Sequence, residues 1–154
     1  MKKQWWAAIC GLLLSLMSCN NVAERVYNQG INIIPKPKEL IEKEGVFVLD
    51  GHTRFQTQSE ELRPIADYFA QKIKLVTGAN LLKGDAKTNI VLQVDSTLPL
   101  NAEGYRLEVS PTAVEIIGKS PQGVFYGLQT LMQLLPAEIE GGKRICGTKW
   151  TIPC

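Results

Sequence analysis

The alternation of apolar and polar residues predicts two strands and a helix between residues 105 and 135. From Tyr105 to Val109 every second residue is apolar, which is typical of a half-buried strand. Ser110-Pro111 provides a turn, and Val114 to Ile117 forms the second strand of a hairpin. The period then becomes helical, because apolar residues recur at spacings of four, three and four: Val124, Leu128, Leu131 and Leu135.

The helix that follows the hairpin carries sequence signals at both of its ends. Ser120 and Pro121 are typical of an N-cap and a first helical residue, and Pro136 ends the helix. Gly123 and Gly127 lie four residues apart in its interior, where each glycine costs about 1 kcal/mol relative to alanine. We therefore expect these glycines to let the helix backbone approach the sheet closely.

The first half of the chain predicts a second helix with one apolar stripe. Pro64 belongs in its first turn, so the helix begins near Glu60 or Glu61, and Thr77-Gly78 ends it. The stripe recurs at helical spacing: Leu62, Ile65, Phe69, Ile73 and Val76.

Four further strands are predicted around this helix. Residues 40–43 and 46–49 flank a turn, 53–57 follow, and the apolar run 89–94 indicates an interior strand with both faces covered. These elements predict an α+β fold with a single mixed or mostly antiparallel sheet and two main helices packed on it. Residues 138–143 read as a polar loop.

Three separated blocks resemble the non-catalytic domain that precedes the catalytic barrel in β-N-acetylhexosaminidases of glycoside hydrolase family 20. They are NIIPKP with EGVFVL, EGYRLEV with SPQGVFYGLQTLMQLLP, and the closing WTIP. The resemblance implies that 31–137 form this domain and that 138–154 are a linker to the start of the barrel.

The same resemblance implies an accessory role without chemistry. In the family, an aspartate and a glutamate on the barrel assist attack by the substrate's acetamido group and protonate the leaving oxygen. The complete enzyme removes terminal N-acetylhexosamine from glycans. We transfer no catalytic residue to this chain and expect the barrel to be its partner, with glycan bound only by the complete enzyme.

The N-terminus resembles a bacterial lipoprotein leader. Lys2 and Lys3 precede an apolar run, and Leu16-Met17-Ser18-Cys19 is similar to a lipobox whose cysteine is acylated. This predicts a signal peptide at 1–18, lipidation of Cys19, a tether at 19–30, and export to a periplasmic or outer-membrane location with a lipid anchor in the membrane. The alternative is an ordinary secretory signal in which Cys19 has no role.

The charge balance argues against a nucleic-acid partner, and the cysteine content leaves open whether a disulfide forms. The formal charge of +2 includes two leader lysines, so the remaining chain is balanced, which argues against nucleic-acid binding. Cys146 and Cys154 lie eight residues apart and either form a disulfide outside the cytoplasm or remain two thiols.

The titratable residues predict no active site, metal site or cofactor site. Glu60 and Glu61 are explained by the start of a helix, His52 lies in a turn, and Asp85 and Asp95 belong to no motif. Phe125 and Tyr126 could suggest sugar stacking, but at helical positions beside an apolar stripe they are expected in the core.

Two other functions compete with the accessory role. A free-standing carbohydrate-binding lipoprotein needs exposed aromatic residues on a sheet face, and a scaffold module needs an exposed apolar patch.

Overall fold

The computed structural model describes residues 31–154. The predicted signal peptide at 1–18, the lipid attachment at Cys19 and the tether at 19–30 lie outside the described residues and stay predictions. The described chain is α+β, with two main helices and a mixed sheet, as the sequence pattern predicts.

The elements follow one another in a simple order along the chain. The strands are β1 (Val46–Val48), β2 (Thr53–Thr57), β3 (Thr88–Val94), β4 (Tyr105–Val109), β5 (Ala113–Gly118) and β6 (Thr151–Pro153). The helices are α1 (Arg63–Thr77) and α2 (Pro121–Leu134), with short 3-10 helices at Glu60–Leu62 and Ala137–Gly141. None of the helices in residues 31–154 is long and apolar enough to cross a membrane.

The main sheet has four strands in the order β2-β3-β5-β4. Strands β2, β3 and β5 are parallel, and β4 pairs antiparallel with β5, so the predicted hairpin is confirmed. Both helices cover one face of this sheet, and their apolar stripes fill the space above it. The fully buried residues of this layer include Phe69, Ile73, Ile90, Leu92, Ile116, Leu128 and Leu131.

The edge of the fold differs from the predicted single sheet. Strand β1 pairs antiparallel with the C-terminal strand β6 in a separate two-stranded sheet. The predicted strand at 40–43 is not formed, because β6 takes the position beside β1. Lys43 N–H donates to Cys154 O and Leu49 N–H donates to Trp150 O, both at 2.8 Å, which extends this pairing at each end.

Strand β3 is interior in the strand order, but the prediction that both its faces are covered is wrong. Ile90 and Leu92 face the helices and are fully buried, whereas the alternate residues Asn89, Val91 and Gln93 are only half-buried. Within the described residues, both helices pack on the same face, so the outer face of β3 meets solvent.

The ends of α1 confirm the predicted start and stop. Glu60–Leu62 form a 3-10 turn, Pro64 lies in the first turn of α1, and Gly78 adopts the left-handed conformation with φ of 79°. The Arg144 guanidinium lies over Gly78, where the carbonyl end of the helix dipole favours a cation. Ile145 N–H donates to Val76 O at 2.9 Å, so residues 144–145 close this end of α1.

The close approach of α2 to the sheet depends on glycine. A Cβ on Gly127 would collide with Ile116 Cγ2 and lie 3.3 Å from the ring of Tyr105. A Cβ on Gly123 would collide with the Gly104 carbonyl oxygen, so both glycines act as predicted. As α2 proceeds from Gly123 to Gly127, its contact with β5 moves back from Gly118 to Ile116. Helix α2 therefore runs antiparallel to β5.

The segment 138–154, predicted from sequence as a linker, packs on the domain in this structure. The expected polar loop contains a 3-10 helix that buries Ile139, and Trp150 and Ile152 are buried in the same hydrophobic core. Of the two cysteines whose pairing the sequence leaves open, Cys146 is an exposed free thiol and Cys154 a buried one. Burial raises the pKa of the Cys154 thiol above its usual value.

Candidate functional site

His52 and Asp85 are brought together by the fold, although they are 33 residues apart. His52 Nδ1 lies 2.9 Å from Asp85 Oδ2, and the His52 backbone N–H donates to Asp50 Oδ1 at 2.8 Å. The hydrogen bond with His52 is the main reason that the pKa of Asp85 lies below its ordinary value. Both side chains are about half exposed, so the pair joins two surface loops, and neither residue lines the two clefts described below.

The other carboxylates singled out by sequence have local structural roles. Glu60 Oε1 accepts from Arg63 Nη2 at 2.5 Å in the first turn of the helical segment, as expected of a helix-start residue, and Glu61 lies exposed beside it. Asp95 Oδ1 accepts from the N–H and hydroxyl of Thr97 at 2.9 and 2.6 Å, which lowers its pKa. In residues 31–154, no group of three His, Cys, Asp or Glu side chains could hold a metal ion.

One cleft lies between residues 144–150, residues 48–51 and the C-terminal end of α1. Its volume is about 440 Å³, and Asp50 is the one carboxylate in its lining. Acid-base chemistry at a glycosidic bond ordinarily uses two carboxyl groups. The lining of this cleft therefore lacks that arrangement.

A second feature is the outward side of the two helices, which we call the helix surface. It is formed by Tyr68 and Leu75 of α1 and by Phe125 and Tyr126 of α2. Tyr68, Leu75 and Tyr126 are 54%, 58% and 42% exposed, and Phe125 is half-buried. The seven-residue spacing of Tyr68 and Leu75 places them on the same side of α1, opposite the core stripe. The helix surface is therefore a row of large apolar side chains in contact with solvent.

A chain of aromatic contacts joins the two helices beneath this surface. The ring centroids of Tyr68 and Phe69 are 5.1 Å apart, those of Phe69 and Phe125 5.6 Å, and those of Phe125 and Tyr126 5.8 Å. All three pairs meet edge to face, the arrangement that aromatic quadrupoles favour. A shallow cleft of about 250 Å³ opens next to them, lined by Ile65, Pro121, Gln122, Phe125 and Tyr126.

The expectation that Phe125 and Tyr126 belong to the core is wrong for Tyr126 and correct only in part for Phe125. Tyr126 shares its side of α2 with Gln122 and Gln129, which lie four residues before it and three after it. That side points away from the sheet, whereas Gly127 and Leu128 point toward it. A tyrosine adjacent in sequence to a core stripe thus lies on the opposite side of the helix.

The outer face of the main sheet has a different chemical character from the helix surface. Its side chains are charged, amide-bearing or aliphatic, and within the described strands none is aromatic: Arg54, Gln56, Asn89, Val91, Gln93, Arg106, Glu108, Ala113, Glu115 and Ile117. The aromatic sheet face required of a carbohydrate-binding module is therefore not present in residues 31–154.

Comparison with known proteins identifies the domain family of this chain. The family described as Glycosyl hydrolase family 20, domain 2, matches residues 30–154. The β-hexosaminidase of Porphyromonas gingivalis is 41% identical over 153 residues, an alignment that covers 94% of this chain and 20% of that protein.

Solved structures agree with the sequence match. The GH20 β-N-acetylhexosaminidase from Streptomyces coelicolor A3(2) superposes with a TM-score of 0.69 at 29% identity, over 76% of this chain and 24% of the other. The N-acetyl-β-hexosaminidase of Streptomyces plicatus gives a TM-score of 0.67 at 30% identity, over 79% and 24%. The chain thus spans about a fifth to a quarter of these relatives. It belongs to the family described as Glycosyl hydrolase family 20, domain 2, which is the non-catalytic domain outside the catalytic barrel.

Proposed function

We propose that this chain acts as the accessory domain of a β-N-acetylhexosaminidase and binds the catalytic domain through the helix surface. The complete enzyme would hydrolyse terminal N-acetyl-D-hexosamine from glycans, with all reacting groups on the catalytic domain. The observation that carries the proposal is the exposure of Tyr68, Leu75 and Tyr126 on one side of a domain whose relatives are four to five times longer.

The chemistry of the helix surface suits a protein partner. Large tyrosine and leucine side chains bury much apolar area on association, and tyrosine also supplies a hydroxyl for hydrogen bonding. The neighbouring exposed side chains Gln71, Gln122 and Gln133 are uncharged amides. Lys72 lies between Tyr68 and Leu75 on the same side of α1. Its ammonium is paired with Glu140 at 3.0 Å. The amides and this paired lysine limit the unpaired charge that association would remove from water.

The substrate class comes from the relatives. The Porphyromonas gingivalis protein is a β-hexosaminidase, and a mutant of the Streptomyces plicatus enzyme was crystallised with its product GlcNAc. The fold of residues 31–154 matches the fold of these relatives. In this chain, carboxylates such as Glu60, Asp95 and Glu108 bond at a helix start, in a turn and in a surface ion pair. This division supports a stabilising role for the domain and a chemical role for the rest of the enzyme.

The lipobox-like sequence ending at Cys19 supports export and attachment to a bacterial membrane by acylation. An enzyme held there would act on glycans outside the cytoplasm. This part of the proposal depends on the leader alone and can fail without affecting the docking role.

The docking role is tested by exchanging domains between relatives. What we call the joined protein is a chimera in which this chain replaces the matching segment of the Porphyromonas gingivalis β-hexosaminidase. Its hydrolysis of a chromogenic N-acetyl-β-D-glucosaminide is measured. We expect the joined protein to be soluble and active. A Tyr68→Ser/Tyr126→Ser double variant should shorten its half-life of activity at elevated temperature, because exposed apolar contacts with the catalytic domain are lost.

The control is Arg54→Ser on the outer face of the sheet, which should leave the half-life of the joined protein unchanged. In the isolated chain the two tyrosine changes remove the edge-to-face contacts with Phe69 and Phe125, each worth about 0.5–1.5 kcal/mol. The isolated variant therefore sets the baseline, and the tyrosine changes should destabilise the joined protein by more than they destabilise the isolated chain. Equal half-lives for the tyrosine variant and the Arg54→Ser variant would overturn the assignment of the helix surface as the docking site.

A further inference from the structure

The segment 31–37 is fastened to the C-terminal end of α2 by a pair of hydrogen bonds from one side chain. Ile34 N–H donates to Gln133 Oε1, and Gln133 Nε2 donates to Ile34 O, each at 2.9 Å. The amide of Gln133 therefore pairs with the backbone of Ile34 much as a neighbouring strand would. The two residues are 99 positions apart, so the bonds join the first described residues to the last turns of α2.

The side chain of Ile34 is the most exposed large apolar side chain of the described chain. This side chain is 82% exposed, whereas the backbone N–H and C=O of Ile34 are both hydrogen-bonded to Gln133. Fixing a backbone costs conformational entropy, and fixing it so that an isoleucine points into water gains no burial within this domain. Such an arrangement is typical of a preorganised contact residue, whose ordering is complete before the partner arrives.

Ile34 lies next to the helix surface. Gln133 follows Tyr126 by seven residues, which places both on the same side of α2 at a separation of about 10 Å along the axis. Helix α1 connects the parallel strands β2 and β3, and α2 runs antiparallel to β5, so the two helices point in the same direction. Leu75, near the end of α1, and Gln133, near the end of α2, therefore lie at the same end of the helix layer.

We propose that Ile34 is an anchor residue of the interface with the catalytic domain and that Gln133 is the positioning residue that presents it. This inference rests on the proposed function, because its partner is the same catalytic domain that covers the helix surface. It extends that surface beyond the helices to the segment 31–37, which precedes the first strand. The catalytic domain would accept Ile34 in an apolar recess and leave the Gln133 amide bonded to the backbone.

The test measures accessibility residue by residue in the joined protein. Ile34→Cys, Tyr126→Cys and Leu82→Cys variants are prepared in the isolated chain and in the joined protein, and treated with a maleimide. Mass spectrometry of the peptide that carries the new cysteine gives each labelling rate. Leu82 is a matched control, since it is an exposed leucine in the connection between α1 and β3, outside the helices.

We expect the Ile34→Cys and Tyr126→Cys variants to be labelled at least tenfold more slowly in the joined protein than in the isolated chain. The Leu82→Cys variant should be labelled at equal rates in both. Adding Gln133→Ala should restore fast labelling of the Ile34→Cys variant in the joined protein while the Tyr126→Cys variant stays protected. That selective release is not expected if Gln133 merely stabilises α2, because a looser helix would expose both positions.

The outcomes separate the two proposals. Protection of the Tyr126→Cys variant without protection of the Ile34→Cys variant overturns the anchor role and leaves the docking role standing. Fast labelling at both positions in the joined protein overturns both. Protection at both positions that Gln133→Ala does not alter overturns the positioning role of Gln133.

Discussion

Replacing Gly127 by alanine should destabilise the domain, although the same change in an ordinary helix stabilises it. A Cβ at this position would collide with Ile116 Cγ2, which is a branch methyl attached to Cβ and cannot rotate away independently. It would also lie 3.3 Å from Tyr105 Cδ2, so the space on that side is filled as well. The helix would have to move off the sheet, or Ile116 would have to leave its rotamer.

Two opposing contributions set the size of the effect. Alanine is favoured over glycine in a helix interior by about 1 kcal/mol. Forcing an extra carbon into a packed core costs about 1–3 kcal/mol. The balance for Gly127→Ala is a loss of roughly 0–2 kcal/mol. Gly127→Val adds two more carbons and recovers less helix propensity, so its loss should be larger, about 2–4 kcal/mol.

The measurement is the thermal midpoint of the isolated chain, followed by circular dichroism. For a domain of this size, a loss of 1 kcal/mol lowers the midpoint by about 3–5 °C. The matched control is Lys87→Val, an exposed loop position whose ammonium lies 3.8 Å from Asp85. Surface ion pairs of this kind contribute about 0–1 kcal/mol, so this variant should change the midpoint only slightly.

A double-mutant cycle identifies the cause of the loss. Ile116→Leu removes the branch methyl that faces Gly127 and nearly conserves volume. In the double variant with Gly127→Ala, the midpoint should fall by less than the sum of the falls in the two single variants. The reasoning is refuted if Gly127→Ala raises the midpoint, as at a solvent-exposed glycine, or if Gly127→Val and Lys87→Val have equal effects.

Three other predictions concern the core, the leader and the response to acid. Tyr105→Phe should cost about 1–3 kcal/mol in a denaturant titration, since the buried Thr130 hydroxyl loses the partner that now lies 2.5 Å away; an unchanged midpoint would show that the hydroxyl finds another partner. Cys19→Ser should move the protein from the detergent phase to the aqueous phase in a partition assay, whereas unchanged partitioning would contradict acylation. Hydrogen bonds from Thr97 hold the pKa of Asp95 below its ordinary value of 3.8, so the folded state gains stability above that value and loses it as the pH falls. Asp95→Asn should therefore flatten the decline of the thermal midpoint between about pH 4 and pH 2, and an unaltered slope would contradict this account.

Much of this fold can be predicted from the spacing of apolar residues and from the proline and glycine residues at helix ends. The stripe of α1 and the hairpin β4–β5 have regular apolar spacing, and Pro64, Gly78 and Pro136 mark helix ends by their backbone restrictions. The two glycines of α2 are informative because their cost in a helix interior requires a compensating contact, and that contact exists.

The remaining features depend on contacts distant in sequence. Residues 40–43 and 151–153 both have strand-like composition, and local pattern does not decide which of them pairs with β1. The exposure of Tyr126 depends on a rotation of one residue around α2, since its neighbour Gly127 faces the sheet. The bond between Gln133 and Ile34 joins two segments whose residue types carry no signal of each other. A glutamine in the last turn of an amphipathic helix is ordinarily read as solvent-exposed.

Our main proposal is that this chain contributes a docking domain and that the reacting groups of glycoside hydrolysis lie on the catalytic domain. The most direct test is to incubate the purified chain with a chromogenic N-acetyl-β-D-glucosaminide from pH 4 to pH 8 and to compare it with a heat-inactivated sample. The account predicts no release of chromophore above that background at any pH. Saturable turnover that a Glu60→Gln/Glu61→Gln double variant abolishes would contradict it, because those glutamates would then be catalytic and not residues of a helix start.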